Sequence, residues 1–198
     1  MNDSENYWTN RYAENRTGWD VGYPTEPILR YMNQLQDKTI RTLIPAAGNA
    51  YEAEYMLKQG FSNTFVLDIS QSPLIAFKKR VPQFPRSQIL HEDFFTHEGQ
   101  YDLIIEQTFF CSFPPLPKNR QAYAKQVANL LPKGGKLIGL WFSFPSKPQQ
   151  TKPPYGGSKK EYVEYFKSYF KIPTLDLCYN SIKPRQGNEL FGLMIRSY

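Results

Sequence analysis

Short apolar runs alternate with amphipathic stretches along most of this chain, a rhythm that predicts β-α units around a largely parallel sheet. Pro24 and Pro27 suit the first turn of a helix running to about Gln36, and Thr39 to Ile44 follows as a buried first strand. Pro45 to Asn49 reads as the turn out of that strand. Apolar positions at Ala50, Ala53, Met56 and Leu57 then trace a helix that ends at Gly60, and a second strand, Thr64 to Leu67, is closed by Asp68.

The alternation continues. Ser72-Pro73 opens a helix through Arg80, and a short third strand, Gln88 to Leu90, delivers His91-Glu92-Asp93-Phe94-Phe95 to a strand's carboxyl end. Tyr101 to Ile105 is a fourth buried strand and Lys118 to Leu131 a helix; Lys133-Gly134-Gly135 turns into a fifth strand, Lys136 to Phe142. Pro145 to Gly157 is a long loop rich in Pro, Lys, Gln and Gly, of the kind that in a compact domain is functional or disordered. A helix from Ser158 to Tyr169 and two strands, Thr174 to Ile182 and Glu189 to Ser197, paired as an antiparallel hairpin, complete the chain. The residues before Pro24 form a polar leader spotted with aromatics.

At 198 residues the chain is long enough for one sizeable core and short for two, so a single domain over 1–198 is expected, with 1–36 as leader and first helix. Aromatics make up 16% of it, and so large a share must be buried or recruited to a pocket. The net charge of +6 is dispersed among carboxylates as a solvated basic surface suited to attracting an anionic substrate. Its densest basic runs, Lys78-Lys79-Arg80 and Lys159-Lys160, are too short for a nucleic-acid module, so no nucleic-acid partner is expected. Cys111 and Cys178 have no disulfide or zinc spacing, and His91 and His97 have no partner pattern; no metal is expected. A polar, acidic N-terminus and the lack of an apolar run near the ~20 residues of a membrane span lead to the expectation of a cytoplasmic protein off the membrane.

Open α/β sheets bind ligands at the carboxyl ends of their strands, so the residues ending each strand carry the chemistry. After the first strand, Pro45-Ala46-Ala47-Gly48-Asn49 uses small residues that let backbone N–H groups approach a carboxylate or phosphate; Gly48 also fits a purely structural turn. Asp68 lies twenty residues beyond Gly48, the spacing of an acid that accepts both hydroxyls of an adenosine ribose, with an N-cap of the next helix as its other reading. Asp93-Phe94 offers an acceptor for an adenine amino group beside an aromatic wall, although each residue alone is commonplace.

These residues, with the leader Tyr7-Trp8 and Gly18-Trp19-Asp20, the run Leu43 to Gly48, and Leu67-Asp68-Ile69-Ser70, resemble the thiopurine methyltransferase superfamily, which includes plant halide and thiol methyltransferases. The resemblance extends over nearly the whole chain through Glu92 to Phe95, Tyr101 to Glu106, Phe109-Phe110-Cys111, Arg120 to Tyr123, Leu131 to Gly135 and Lys152-Pro153-Pro154-Tyr155. It implies a Rossmann-like class I methyltransferase fold: an α/β, seven-stranded, mostly parallel sheet with an antiparallel C-terminal strand. The implied cofactor is S-adenosylmethionine, with S-adenosylhomocysteine as product. Trp8 and Trp19 would help close its site, Pro45, Ala46, Ala47 and Gly48 would lie by its methionine part, and Asp68 with Ile69 by its ribose. Asp93 and Phe94 would take the adenine, Glu106 with Gln107 and Thr108 would stand where cofactor and acceptor meet, and Phe109 and Phe110 would line the acceptor side. The chain departs from the commoner Gly-Cys-Gly first motif in having Ala46-Ala47-Gly48-Asn49.

Methyl transfer from a sulfonium is a direct displacement that needs alignment and a dehydrated nucleophile more than acid-base machinery. A small acceptor such as a thiol, thiopurine or halide is expected, with Tyr155 joining Trp8 and Trp19 as a lid and acceptor-side residue. Arg16 and Arg120 are candidates to orient an anionic acceptor or the cofactor carboxylate, unless they are ordinary surface arginines. Cys111, flanked by aromatics and without a histidine pattern, reads as a packing cysteine. Two rivals stand: a nucleotide-binding module without turnover, and an NAD-dependent oxidoreductase, whose three-glycine fingerprint is absent. A monomer or weak dimer is expected.

Overall fold

The computed structural model describes residues 2–147 and 149–198, with side chains from residue 4 onward; Pro148, in the long loop, lies outside the described residues. Seven strands, β1 (Thr42–Pro45), β2 (Thr64–Asp68), β3 (Ile89–His91), β4 (Leu103–Gln107), β5 (Lys136–Phe142), β6 (Phe170–Leu177) and β7 (Glu189–Arg196), form one sheet in the order β3-β2-β1-β4-β5-β7-β6. β7 runs antiparallel to β5 and β6, and the remaining pairings are parallel. Among the described residues six α-helices accompany them: α1 (Asn2–Ala13), α2 (Glu26–Asn33), α3 (Tyr51–Lys58), α4 (Gln71–Arg80), α5 (Pro117–Leu130) and α6 (Lys159–Phe166).

The central strands are buried on both faces, which is why they read as near-continuous apolar runs. Their side chains alternate: Leu43, Leu67 and Ile104 join the core under α5 and α6, whereas Ile44, Val66, Leu103 and Ile105 join the core under α2, α3 and α4. The chain passes from β1 outward to β3 and then returns to β4, so the switch point falls between the carboxyl ends of β1 and β4.

Three expectations shift. The first strand begins at Thr42, because Thr39 is held in a turn by the Asp37 carboxylate, at 2.8 Å from its backbone N–H and 2.6 Å from its hydroxyl. The sixth strand lies at Phe170–Leu177 rather than Thr174 to Ile182. Pro173 enters it where the register slips between Lys171 and Thr174, an interruption that an edge strand tolerates because one side has no ladder to break. The leader is helical as α1, which a Thr9 Oγ1–Ser70 Oγ hydrogen bond of 2.9 Å ties to the N-cap of α4. No helix among the described residues is long and apolar enough to cross a membrane.

Candidate active site

The strand ends at the switch point open into a cavity of about 1000 Å³ whose wall includes Trp8, Trp19, Ala46, Asp68, Asp93 and Phe94. Backbone strain concentrates here: Ala46 (φ 48°), Ala50 (φ 53°) and Thr108 (φ 61°) occupy the left-handed region, at a cost of roughly 1–2 kcal/mol each for residues with a Cβ. Gly48 (φ 53°) belongs to the same turn. A methyl group there would lie 2.7 Å from the Tyr12 hydroxyl, the end of a side chain that can swing aside, and glycine spares this position the left-handed strain that Ala46 and Ala50 carry.

Asp68 joins β2 to this turn. Its Oδ2 accepts from the Gly48 N–H at 2.9 Å and its Oδ1 from the Ser70 N–H at 2.8 Å. Burial pushes its pKa up, against the pull of those N–H donors. The N-cap of α4 is Ser70, so Asp68 is not the capping residue. Asp93 accepts the Phe95 N–H at 2.9 Å, and Phe94 beside it packs against Phe109, with ring centroids 5.2 Å apart. Ile69 also lines the cavity.

The leader supplies another part of the wall. Trp19 receives the edges of Trp8 and Tyr12, at centroid distances of 5.3 and 5.7 Å, and the Arg11 guanidinium lies 5.3 Å from the Trp19 ring. Desolvation drives the Tyr12 phenol far above its ordinary pKa, with Asp68 and Asp20 adding to the effect.

Pro45, Ala47 and Gly48 line a second cavity of about 60 Å³, which shares Trp19, Ala46 and Thr108 with the larger one. Glu106 lines neither. It is fully buried, and its Oε1 accepts the N–H groups of Phe109 (2.8 Å) and Phe110 (2.9 Å), which makes it the anchor of the loop after β4 rather than part of the cavity wall. Its other oxygen has no hydrogen-bond partner, and burial pushes its pKa up to about 7. A raised carboxyl pKa contributes stability that is present in full below the unfolded value of about 4.5 and is lost as pH rises through about 7. Glu106→Gln is therefore expected to flatten the fall in unfolding free energy between pH 5 and pH 8 by on the order of 3 kcal/mol in urea titrations; an unchanged slope would show that Glu106 ionises normally.

On the acceptor side, Phe109 lines the large cavity, but Phe110 is turned into the core against Tyr123, Tyr162 and Phe166. Arg120, expected at the acceptor, is 1% exposed and away from the wall. Its guanidinium lies over Phe110 (4.8 Å) and Tyr162 (5.7 Å) and donates to the Gly156 carbonyl at 2.8 Å, a clamp between α5, α6 and the long loop. Tyr155 is buried at 4% exposure behind Pro153 and Pro154, which do line the cavity; its N–H donates to the Cys111 carbonyl at 2.7 Å. Arg16 is exposed and paired with Glu14. The wall's arginines are instead Arg11 and Arg185, the latter donating to the Trp19 carbonyl at 2.8 Å. Cys111 is buried, its thiol pKa pushed far up by desolvation, and its Sγ donates to the Thr108 carbonyl at 3.3 Å, as a packing cysteine does. Sequence reading missed Tyr12, Arg11, Arg185 and Glu52, none of which sits in a strand-end motif.

Comparison with known proteins bears on this geometry. A family model described as thiopurine S-methyltransferase matches residues 3–195. The chain belongs to the thiopurine S-methyltransferase family. A probable thiol methyltransferase 2 of Arabidopsis thaliana is 31% identical, over 96% of this chain and 84% of the relative. A thiopurine S-methyltransferase of Vibrio campbellii is 24% identical, over 89% of this chain and 87% of its own. Among solved structures, the 1,6-didemethyltoxoflavin-N1-methyltransferase of Burkholderia thailandensis, with bound S-adenosylhomocysteine, superposes with a TM-score of 0.77. It has 15% identity and covers 98% of this chain and 87% of that one, and it shares the class I methyltransferase fold. The protein is a methyltransferase of small molecules with S-adenosylmethionine as cofactor, and the oxidoreductase and turnover-free readings are not favoured. The site suits that cofactor: acceptor carboxylates at the ends of β2 and β3, an aromatic wall at Phe94, and a tight turn after β1 with glycine at position 48.

Proposed function

We propose that the chain methylates a small thiol or a kindred soft anion, with Asp68 holding the cofactor's ribose, Asp93 and Phe94 its adenine, and Trp8 and Trp19 closing over it. The carrying observation is the chemistry of the large cavity. Its acceptor wall is aromatic and apolar, with Phe109, Phe113, Phe142 and Pro154, and its cations include Arg11 and Arg185. Among the described residues its only carboxylates are Asp68 and Asp93, which in this reading the cofactor's ribose and adenine engage, and no histidine lines it.

A site built this way has no free base with which to deprotonate an alcohol or an ammonium. It favours a nucleophile that is anionic at neutral pH or ionises readily, and a thiol of pKa about 8.5 does so. When bound, S-adenosylmethionine supplies a methyl group on positively charged sulfur, an electrophile needing no protonation. The chain's residues then have three tasks: to align the acceptor, to exclude water beneath the Trp8–Trp19 lid, and to hold negative charge near the guanidinium groups of Arg11 and Arg185. The names of the relatives, thiol, thiocyanate and thiopurine methyltransferases, support the same class. We also place the protein in the cytoplasm, as a monomer or weak dimer.

Formation of S-adenosylhomocysteine against a panel of an aromatic thiol, hydrosulfide, thiocyanate, iodide, an amine and an alcohol tests this. Turnover of thiols is expected to rise with pH until the thiol is ionised, and turnover of iodide to stay flat over the same range. Methylation confined to the amine or the alcohol would overturn the reading, because it requires a base that the cavity wall does not supply.

A further inference from the structure

The small cavity at the end of β1 differs in character from the large one. It is bounded by Ala46, Ala47 and Gly48, by Gln107 and Thr108 after β4, by Trp19 and Asp20 of the leader, and by Glu52 in the first turn of α3. Glu52 is only 8% exposed, and its carboxylate makes no hydrogen bond to another residue among those described. Asp20, by contrast, is committed: it accepts the Gly22 N–H at 2.8 Å and the Asn49 side-chain amide. Gln107 turns its Oε1 to the Thr25 hydroxyl at 2.7 Å. A carboxylate this buried, met only by its own backbone N–H and by the attraction of Arg185, is costly to ionise unless a further donor arrives from the cavity.

The position of this cavity names the donor. From Asp93 to Asp68 to Gly48 the candidate adenine, ribose and methionine positions follow one another across the strand ends, and the small cavity adjoins the large one, sharing Trp19, Ala46 and Thr108 as walls. Its volume of about 60 Å³ is some two water molecules' worth, room for an amino-acid head group and little more. Resting on the cofactor reading above, we propose that Glu52, supported by Asp20, binds the α-ammonium of the cofactor's methionine tail, and so distinguishes the full cofactor from nucleosides that lack that tail.

Proton balance follows. In the free protein, desolvation and the nearby Asp20 push the Glu52 carboxyl up to about 7, against Arg185, the cation that faces it. An arriving ammonium favours the carboxylate, so binding near pH 7 releases a proton from Glu52 to solvent. Affinity for the full cofactor then rises as pH increases through 7. The Tyr51 phenol, which bounds the same cavity, is pushed above its ordinary range by desolvation and stays neutral over that range.

Calorimetric titration of the protein with S-adenosylhomocysteine and with 5′-methylthioadenosine, which has no amino-acid head, tests this without relying on turnover. Repeating each titration at pH 7 in buffers of different ionisation enthalpy counts the protons released. The wild type is expected to release protons with S-adenosylhomocysteine and not with methylthioadenosine. Glu52→Gln is expected to weaken the former ~10-fold or more and leave the latter unchanged, as for a charge-assisted hydrogen bond to ammonium. Equal weakening of both ligands, or none, or equal proton release by both in the wild type, would overturn the assignment. The wild-type comparison needs no variant to fold. Failure of wild-type protein to bind S-adenosylhomocysteine at all would strike the cofactor reading itself.

Discussion

Asp68→Ala is expected to abolish measurable binding of S-adenosylhomocysteine. The carboxylate stands at the end of β2 with each oxygen already oriented by one backbone N–H, Gly48 on one side and Ser70 on the other. Each oxygen keeps a lone pair for a ribose hydroxyl. Two hydrogen bonds to a charged acceptor contribute about 1.5–3 kcal/mol apiece, so their joint loss weakens the ligand at least about 100-fold. In thermal unfolding, ligand at about 100 times its dissociation constant stabilises the wild type by about 2.7 kcal/mol, a rise of roughly 5–10 °C for a chain of this size. That rise should vanish in the variant. Asp68→Asn, which keeps one acceptor oxygen but sets an amide against the second N–H, is expected to retain a small part of it. An undiminished rise in Asp68→Ala would mean that the ribose is held elsewhere.

Arg120→Ala is expected to act on stability rather than on chemistry. The side chain is buried between Phe110 and Tyr162 and donates to the Gly156 carbonyl, with no carboxylate partner and no contact with the cavity. Truncation empties a large core volume, strips the Gly156 carbonyl of that donor and removes two cation–aromatic contacts. Losses of this kind run to about 3–5 kcal/mol, or a fall of on the order of 10 °C in Tm. Arg120→Met, which refills the volume without the hydrogen bond, should recover part of the stability and most of the turnover. An Arg120→Ala protein with unchanged Tm and collapsed turnover would instead return Arg120 to the acceptor.

The contrast between Asp68 and Arg120 marks how far the sequence could be read. Asp68 was legible because a strand end is a one-dimensional signal: the run Thr64 to Leu67 is apolar, the acid follows it, and a parallel sheet must bring such ends to one edge. Asp93, Phe94 and the Ala46-Ala47-Gly48 turn were legible for the same reason. Arg120 and Phe110 fit the same family motifs in the chain, yet the direction of a side chain on a helix or a 3₁₀ turn depends on what packs around it. Here Tyr123, Tyr162 and Phe166 draw both inward. Arg185 illustrates the reverse: it lies 166 residues from Trp19, whose carbonyl it binds, in a turn that carries no motif of its own.

Local periodicity and spacing thus determined the order of strands and helices, the antiparallel hairpin at the end, and the acids at the ends of β2 and β3, because each depends on residues a few positions apart. The tertiary structure alone decided the rest. α1 has no apolar stripe and joins the cavity wall because Trp8, Tyr12 and Trp19 pack together there. Glu52, in sequence an ordinary first-turn helix acid, becomes a buried carboxylate on a small cavity because the leader folds across it and removes it from water. Burial is a property of distant segments meeting, and it shifts a carboxylate's ionisation in a way that no local pattern in the chain reveals.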